Sequence, residues 1–175
     1  LLHRYGVDVN GIPGGVPPLR YILTWGGDPT GPRWLLEHGA DPNLPWGEQN
    51  DTPLHLAAQR WNLEMTKLLV NHGADVNRRR KDGSTPHALA EMHGNHDIAA
   101  WLLAHGAKDE LTPLERFIAA CAQGNRARAD AMLKTDPTLS SQLRRDHHLM
   151  LMVPAERGDA AALDTMLTCG FDPGV

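Results

Sequence analysis

Residues 52–77 read Thr52-Pro-Leu-His-Leu-Ala-Ala-Gln-Arg-Trp-Asn-Leu-Glu-Met-Thr-Lys-Leu-Leu-Val-Asn-His-Gly-Ala-Asp-Val-Asn77. They describe two short antiparallel helices and a stop. Thr52 offers a hydroxyl to cap the first helix, and Pro53 stands where a missing N–H costs nothing. Leu54, Leu56, Ala57 and Ala58 make a narrow apolar face whose alanines admit another helix at close range. Leu63, Met65, Leu68 and Leu69 make a second face, mostly at three- and four-residue spacing. Gly73 follows the last apolar residue, where a helix-ending left-handed conformation favours glycine. Helices this short cannot bury both faces alone, so the stretch needs copies of itself on either side.

Copies run along the chain. His-Gly-Ala-Asp or a close variant recurs as Tyr5-Gly6-Val7-Asp8-Val9-Asn10, His38-Gly39-Ala40-Asp41-Pro42-Asn43, His72-Gly73-Ala74-Asp75-Val76-Asn77 and His105-Gly106-Ala107-Lys108. Degenerate forms stand at Thr135-Asp136-Pro137 and Cys169-Gly170-Phe171-Asp172. The glycines or their stand-ins at 6, 39, 73, 106, 136 and 170 are separated by 33, 34, 33, 30 and 34 residues. With this period and Thr-Pro-Leu-His opening the unit, the chain resembles the ankyrin family over essentially its whole length. The motif is clearest at Thr52–Ala58 and at Thr85-Pro86-His87-Ala88-Leu89-Ala90. The resemblance implies an all-α ankyrin-repeat solenoid of stacked helix-turn-helix units with short hairpin loops. We read 1–175 as a single ankyrin-repeat domain: a partial repeat at 1–10, then repeats at 11–43, 44–77, 78–110, 111–140 and 141–175.

The repeats differ in regularity. Gly11 to Pro18 replaces the usual turn, and Gly26 to Pro32 lies between the helices, so the first complete repeat is rich in helix breakers. Only five residues separate Gly106 from Thr112, so the fourth hairpin is expected to be shortened or missing and to perturb the stacking there. Its first helix, Leu114 to Gln123, reads as extended, with Gly124-Asn125 as the inter-helix turn. The fifth repeat opens after Leu143 to Leu149, passes Pro154, and turns at Gly158-Asp159 into Ala160 to Leu167. The phrase from Leu111 to Cys121 is similar in style to the degenerate repeats of bacterial ankyrin proteins. Leu1 to Gly6 matches the end of a second helix, and Gly174-Val175 falls where another hairpin would begin. A segment of a longer array is therefore expected.

Composition sets further limits. At 41% hydrophobic and 5% aromatic over 175 residues, the chain suits an aliphatic and alanine core. A net charge of −4 gives no general reason to bind nucleic acid. Cys121 and Cys169 lie on apolar helical faces 48 residues apart and read as reduced core thiols, which fits the cytoplasm. No apolar run approaches the roughly 20 residues of a membrane span, and no signal peptide opens the sequence. We expect a monomer with no nucleic-acid or membrane partner.

Catalytic chemistry has no positive signal. There is no phosphate-binding glycine loop and no His-Glu-x-x-His helix. His38, His72 and His105 fall in the last turn of a helix, where an imidazole meets open carbonyls and the negative end of the dipole. By resemblance, His55 is the first-helix histidine that hydrogen-bonds around the repeat junction. Glu91, His93 and His96 offer a metal-ligand set on paper, yet Gly94 interrupts the helix and a polar turn reads better. Asp146-His147-His148 reads as a solvated loop. We expect neither enzyme activity, nor a metal, nor a cofactor.

What remains is a surface. Trp34 and Trp101 lie five residues before a repeat's glycine, in the slot of Leu68, and are expected to pack between repeats. Trp25, Trp46 and Trp61 are not required by the core, and either anchor a partner or pack over the turns. Arg78-Arg79-Arg80-Lys81 is the one dense cationic run, either a solvated loop or a contact for an acidic partner or phosphates, and Glu48, Gln49 and Asp51 make the neighbouring loop acidic. By family resemblance, hairpin tips and first helices line the concave face of the array. We therefore expect a protein–protein interaction module that grips its partner through Trp25, Trp46, Glu48, Gln49, Asp51, Gln59, Arg60, Trp61, Arg80, Lys81, Ser84, Met92 and His93. The alternative is the recognition or regulatory segment of a larger enzyme.

Overall fold

The computed structural model describes residues 8–11, 15–25, 28–60 and 62–174, the side chains at 24 and 25 excepted. Among them there is no β-strand. The helices are α1 (Pro18–Trp25), α2 (Thr30–Glu37), α3 (Pro53–Gln59), α4 (Leu63–Asn71), α5 (Pro86–Met92), α6 (His96–Ala104), α7 (Pro113–Ala122), α8 (Arg126–Thr135), α9 (Arg145–His148), α10 (Met152–Arg157) and α11 (Ala160–Thr168). None is long and apolar enough to cross a membrane. The chain forms two compact units: Leu1–Leu89 with Asp97–Lys108, and Ala90–His96 with Asp109–Val175.

Local chemistry fixes where the helices begin and end. Three second helices, α4, α8 and α11, open on a side-chain cap: Asn62 accepts from the Met65 N–H at 2.8 Å, Asn125 from Arg128 at 3.1 Å, and Asp159 from Ala162 at 3.0 Å. Helices α2, α4, α6 and α11 close on glycines in the left-handed region, Gly39, Gly73, Gly106 and Gly170, whereas α8 ends on Asp136 in extended backbone. At the turn after α7, Gly124 has a φ of 63°, and a Cβ there would stand 3.1 Å from the backbone of Ala161 and Ala162. A side chain there is disfavoured both by that backbone conformation and by the close approach.

In the first unit, α1 packs on α2 and α3, and α3 on α4. Leu54, Ala58, Leu69, Ile98 and Leu102 are fully buried in its core. Alongside this core runs a polar ladder. The Asn10 Nδ2 donates to the Gly39 carbonyl at 3.2 Å, and its Oδ1 accepts from the Asp41 N–H at 2.6 Å. Asn43 repeats the pair with Gly73 and Asp75 at 2.8 and 2.7 Å, and Asn77 does so with Gly106 and Lys108, both at 2.9 Å. Each carboxamide thus closes two bonds onto the turn that ends the next helix pair.

In the second unit α7 packs on α8 and α11 around Phe117, Ile118, Cys121, Ala162 and Met166. Ten residues long against seven for α3, α7 is the extended helix that the sequence predicts. No hairpin bridge forms in the stretch before Thr112, as the short spacing also predicts. The Arg157 guanidinium, at the end of α10, donates to the Gly94 carbonyl at 3.0 Å and to the Asn95 side chain.

Three sequence expectations need correction. Asp146-His147-His148 is no solvated loop: it lies in α9, and His147 is only 5% exposed. The cause is a cap without threonine or proline, in which the His147 Nδ1 accepts from the Arg144 N–H at 3.2 Å. Trp34 does not pack as apolar filler, whereas Trp101 is half-buried. Leu35, Leu36 and Leu102 fill the core, and each tryptophan stacks on the histidine one turn later, His38 at 4.0 Å and His105 at 3.6 Å between ring centres. Trp34 is 42% exposed. Finally, α2 begins at Thr30, taking Gly31 and Pro32 into its first turn rather than leaving them in a loop.

Removing the Asn43 carboxamide should weaken the first unit. Asn43→Ala is expected to lower the unfolding free energy by about 1–3 kcal/mol, two hydrogen bonds being lost. Urea denaturation measures the loss, and faster hydrogen exchange at the Asp75 amide locates it.

Candidate partner-binding face

The face is built on two hairpins of the first unit. In the first, Trp46 and Asp51 exchange both backbone hydrogen bonds at 2.9 Å, with Gly47 and Asn50 turning through positive φ. In the second, the Arg80 N–H donates to the Ser84 carbonyl at 3.0 Å, and Gly83 turns. The Lys81 N–H reaches the Gln49 carbonyl at 2.9 Å, so the two fingers are joined near their tips.

The fingers are also pinned from below by His55. Its ring is 0% exposed. Nδ1 accepts from the Thr52 N–H at 3.0 Å, with the Thr52 hydroxyl 2.8 Å away, and Nε2–H donates to the Arg78 carbonyl at 3.0 Å. One imidazole therefore caps its own helix and holds the base of the next finger. Burial drives its pKa down to about 4, against the opposing pull of the Asp51 charge and the Arg78 carbonyl. In α5 the threonine cap persists, Thr85 Oγ1 accepting from Ala88 at 3.2 Å, but alanine stands where His55 would be. Glu115 takes that place in α7, accepting from the Thr112 N–H at 2.7 Å.

Arg80 occupies a closed cluster. Its Nη1 meets the Asp51 carboxylate at 3.2 Å, its Nε meets Asp82 at 3.2 Å, and a second bond joins Nη2 to Asp82. Burial alone would raise the Asp82 pKa, yet the Arg80 hydrogen bond and the Ser84 N–H outweigh it and hold the carboxyl at about 2. Arg80 and Asp51, expected at the contact, are thus engaged with each other, and they stiffen the fingers.

The other expected contact residues divide. Glu48, Gln49, Arg60 and Lys81 are exposed, and Gln59 is half-buried. Trp46 is half-buried beneath the Arg20 guanidinium, 5.5 Å from its ring centre. Ser84 and Met92 correct the expectation, since both are buried, Met92 at 3% exposure. Met92 and His93 lie instead in the second unit, lining a cleft with Met150, Val153 and Arg157. The Trp25 side chain and Trp61 lie outside the described residues. Arg20 was missed by sequence reasoning; its helical position beside the Pro-rich turn carries no local signal.

The last-turn histidines, Glu91 and the two cysteines are held in local contacts. His38, His72 and His105 each donate from Nδ1 to the carbonyl four residues earlier, at 2.7 to 2.9 Å, as the last-turn reading expects. Glu91 accepts from Gln123 at 3.1 Å and lies 3.6 Å from the His96 Nδ1. Cys121 and Cys169 are free and buried, and burial raises both thiols, away from the reactive thiolate.

A family model for ankyrin repeats, in three copies, matches residues 22–113, more than half of the chain. The chain belongs to the ankyrin repeat family. Its helix pairs, glycine stops and hairpin fingers are that family's fold, and ankyrin repeats are non-catalytic protein-interaction modules. Among curated relatives, the mouse 2-5A-dependent ribonuclease is 44% identical over 64 residues, which are 37% of this chain and 9% of that protein. The fruit-fly ARF GTPase-activating protein Git is 39% identical over 69 residues, 39% of this chain and 9% of that protein. The Arabidopsis serine/threonine-protein kinase 12 is 35% identical over 108 residues, 61% of this chain and 23% of that protein. The chain thus spans less than a tenth of the first two relatives' length.

The neutral, buried His55 makes stability depend on pH. Its pKa of about 4 when folded lies below its ordinary 6.5, so as pH falls the unfolded chain takes the proton first. The stabilisation is complete above pH 6.5 and is lost between there and about pH 4. The loss is about 3 kcal/mol at most. His55→Gln should flatten this part of the stability profile, measured by urea unfolding across that range.

Proposed function

We propose that this protein recognises a protein partner through the two joined fingers and the adjoining ends of α1 and α3. The observation that carries this reading is the bonding beneath the fingers: His55, the Arg80 cluster and the Lys81–Gln49 bond hold exposed Glu48, Gln49, Arg60 and Lys81 in one arrangement. A surface fixed before contact loses less free energy to ordering when it binds. We place the repeats at 11–43, 44–77, 78–110, 111–140 and 141–175, so that these fingers belong to its middle. The module acts without a reaction of its own, as a cytoplasmic monomer, and the net charge of −4 fits a protein partner better than nucleic acid. The bacterial style of the Leu111–Cys121 phrase stands beside relatives from animals and plants.

A second reading has its own support. The relatives include a ribonuclease and a kinase of which the matched region is a small part. This chain then serves as the recognition segment of a larger enzyme. Sequencing the intact gene separates the two.

The test is affinity capture with the full-length protein from its source, with partners identified by mass spectrometry. Lys81→Glu combined with Arg60→Glu leaves the Arg80 cluster intact and should weaken binding of the captured partner about tenfold or more. Unchanged affinity in a folded variant places the contact elsewhere.

A further inference from the structure

Charge on this molecule is unevenly distributed. The fingers and the helix residues beside them carry six cations, Arg20, Arg60, Arg78, Arg79, Arg80 and Lys81, against three carboxylates, Glu48, Asp51 and Asp82. That is +3 in a first unit whose ten cations and ten carboxylates sum to zero, which leaves −3 for the rest of that unit. Two of the three carboxylates face inward onto Arg80, with side-chain exposures of 27% and 8%. Arg60, Arg78, Arg79 and Lys81 are exposed. The potential that an approaching molecule meets at the tips is therefore positive, on a unit that is otherwise negative.

We infer that the finger face takes an acidic segment of a partner protein, a short stretch rich in Asp or Glu, and this rests on the recognition role proposed above. Complementary charge steers such a segment to the tips and fixes its orientation. A short segment meets only the positive patch. A nucleic acid, carrying charge along its whole length, would extend beyond the patch onto a unit that bears −3 elsewhere and be disfavoured there. Trp46, the described tryptophan of the fingers, is half-buried and covered by Arg20, which closes its ring to base stacking. The internal pairing of Arg80 contributes by elimination: it removes the inward carboxylates from competition and leaves Glu48 as the exposed acid on the fingers.

The experiment uses the whole chain and three fluorescently labelled probes: a peptide alternating glutamate and glycine, its lysine counterpart, and an oligothymidylate of matching charge. Anisotropy titrations are run at low salt and at about 0.15 M, where screening reaches within about 8 Å. The glutamate peptide should bind the parent protein, lose affinity as salt rises, and bind about tenfold more weakly to Arg78→Glu/Lys81→Glu. It should bind more tightly to Glu48→Lys. Circular dichroism melts confirm that each variant is folded, and Glu48→Lys tests the charge sense without removing any of the cations.

Absence of glutamate-peptide binding overturns the inference. Binding of the lysine peptide instead, lost in Glu48→Lys, overturns the acidic partner while leaving the fingers as the recognition face. Tighter binding of the oligothymidylate, lost in the double variant, assigns the face to nucleic acid and overturns it too. Glutamate-peptide binding that survives the double variant removes both this inference and the finger face on which it rests.

Discussion

The side chain of Asn43 does what no helix here can do for itself. A helix of seven to nine residues is too short to persist in water, and a pair of them leaves two apolar faces uncovered. Hydrophobic burial supplies the drive to stack, but it is non-directional and tolerates sliding. The Asn43 carboxamide sets the register, since its donor and acceptor close together on the Gly73 carbonyl and the Asp75 N–H. Asn10 and Asn77 repeat the device, so within the first unit each helix pair is indexed to the next by two bonds of fixed direction.

The fingers inherit that register. A finger has no core of its own, and two or three backbone bonds would leave it free to sway. It is held because His55 reaches the Arg78 carbonyl, and because Arg80 ties Asp51 of one finger to Asp82 of the other. Both contacts depend on helix pairs standing at the spacing that the asparagines fix. The same polar groups that terminate helices therefore also aim the surface, and no separate scaffold is needed for the exposed charges to keep their places.

Much of this is legible in the sequence because the cues are local. Gly73 as a stop, Asn125 as a turn residue, the long α7 and the missing hairpin before Thr112 each follow from residues a few places apart. His55 was readable through the family. The failures share one cause. Arg80 reads as an exposed cation until the fold brings Asp51, 29 residues away, within 3.2 Å. Trp34 reads as core because its spacing copies Leu68, whereas neighbouring leucines already fill the space. His147 was hidden because its cap begins on Arg144, although a histidine three residues beyond a cap is the pattern Thr52 and His55 had shown. Met92 and Ser84 sit at helix and hairpin positions that periodicity alone does not assign to either face.

The Arg157 clasp bears on how the second unit comes apart. Linear repeat arrays melt from their ends because every module is coupled only to its immediate neighbours. Arg157 instead reaches past α7 and α8 to Gly94 and Asn95, more than sixty residues earlier in the chain. Such next-nearest coupling resists fraying, since releasing α10 also strips two bonds from the turn ahead of α6. The clasp thereby couples the release of α10 to that of the Gly94–Asn95 turn.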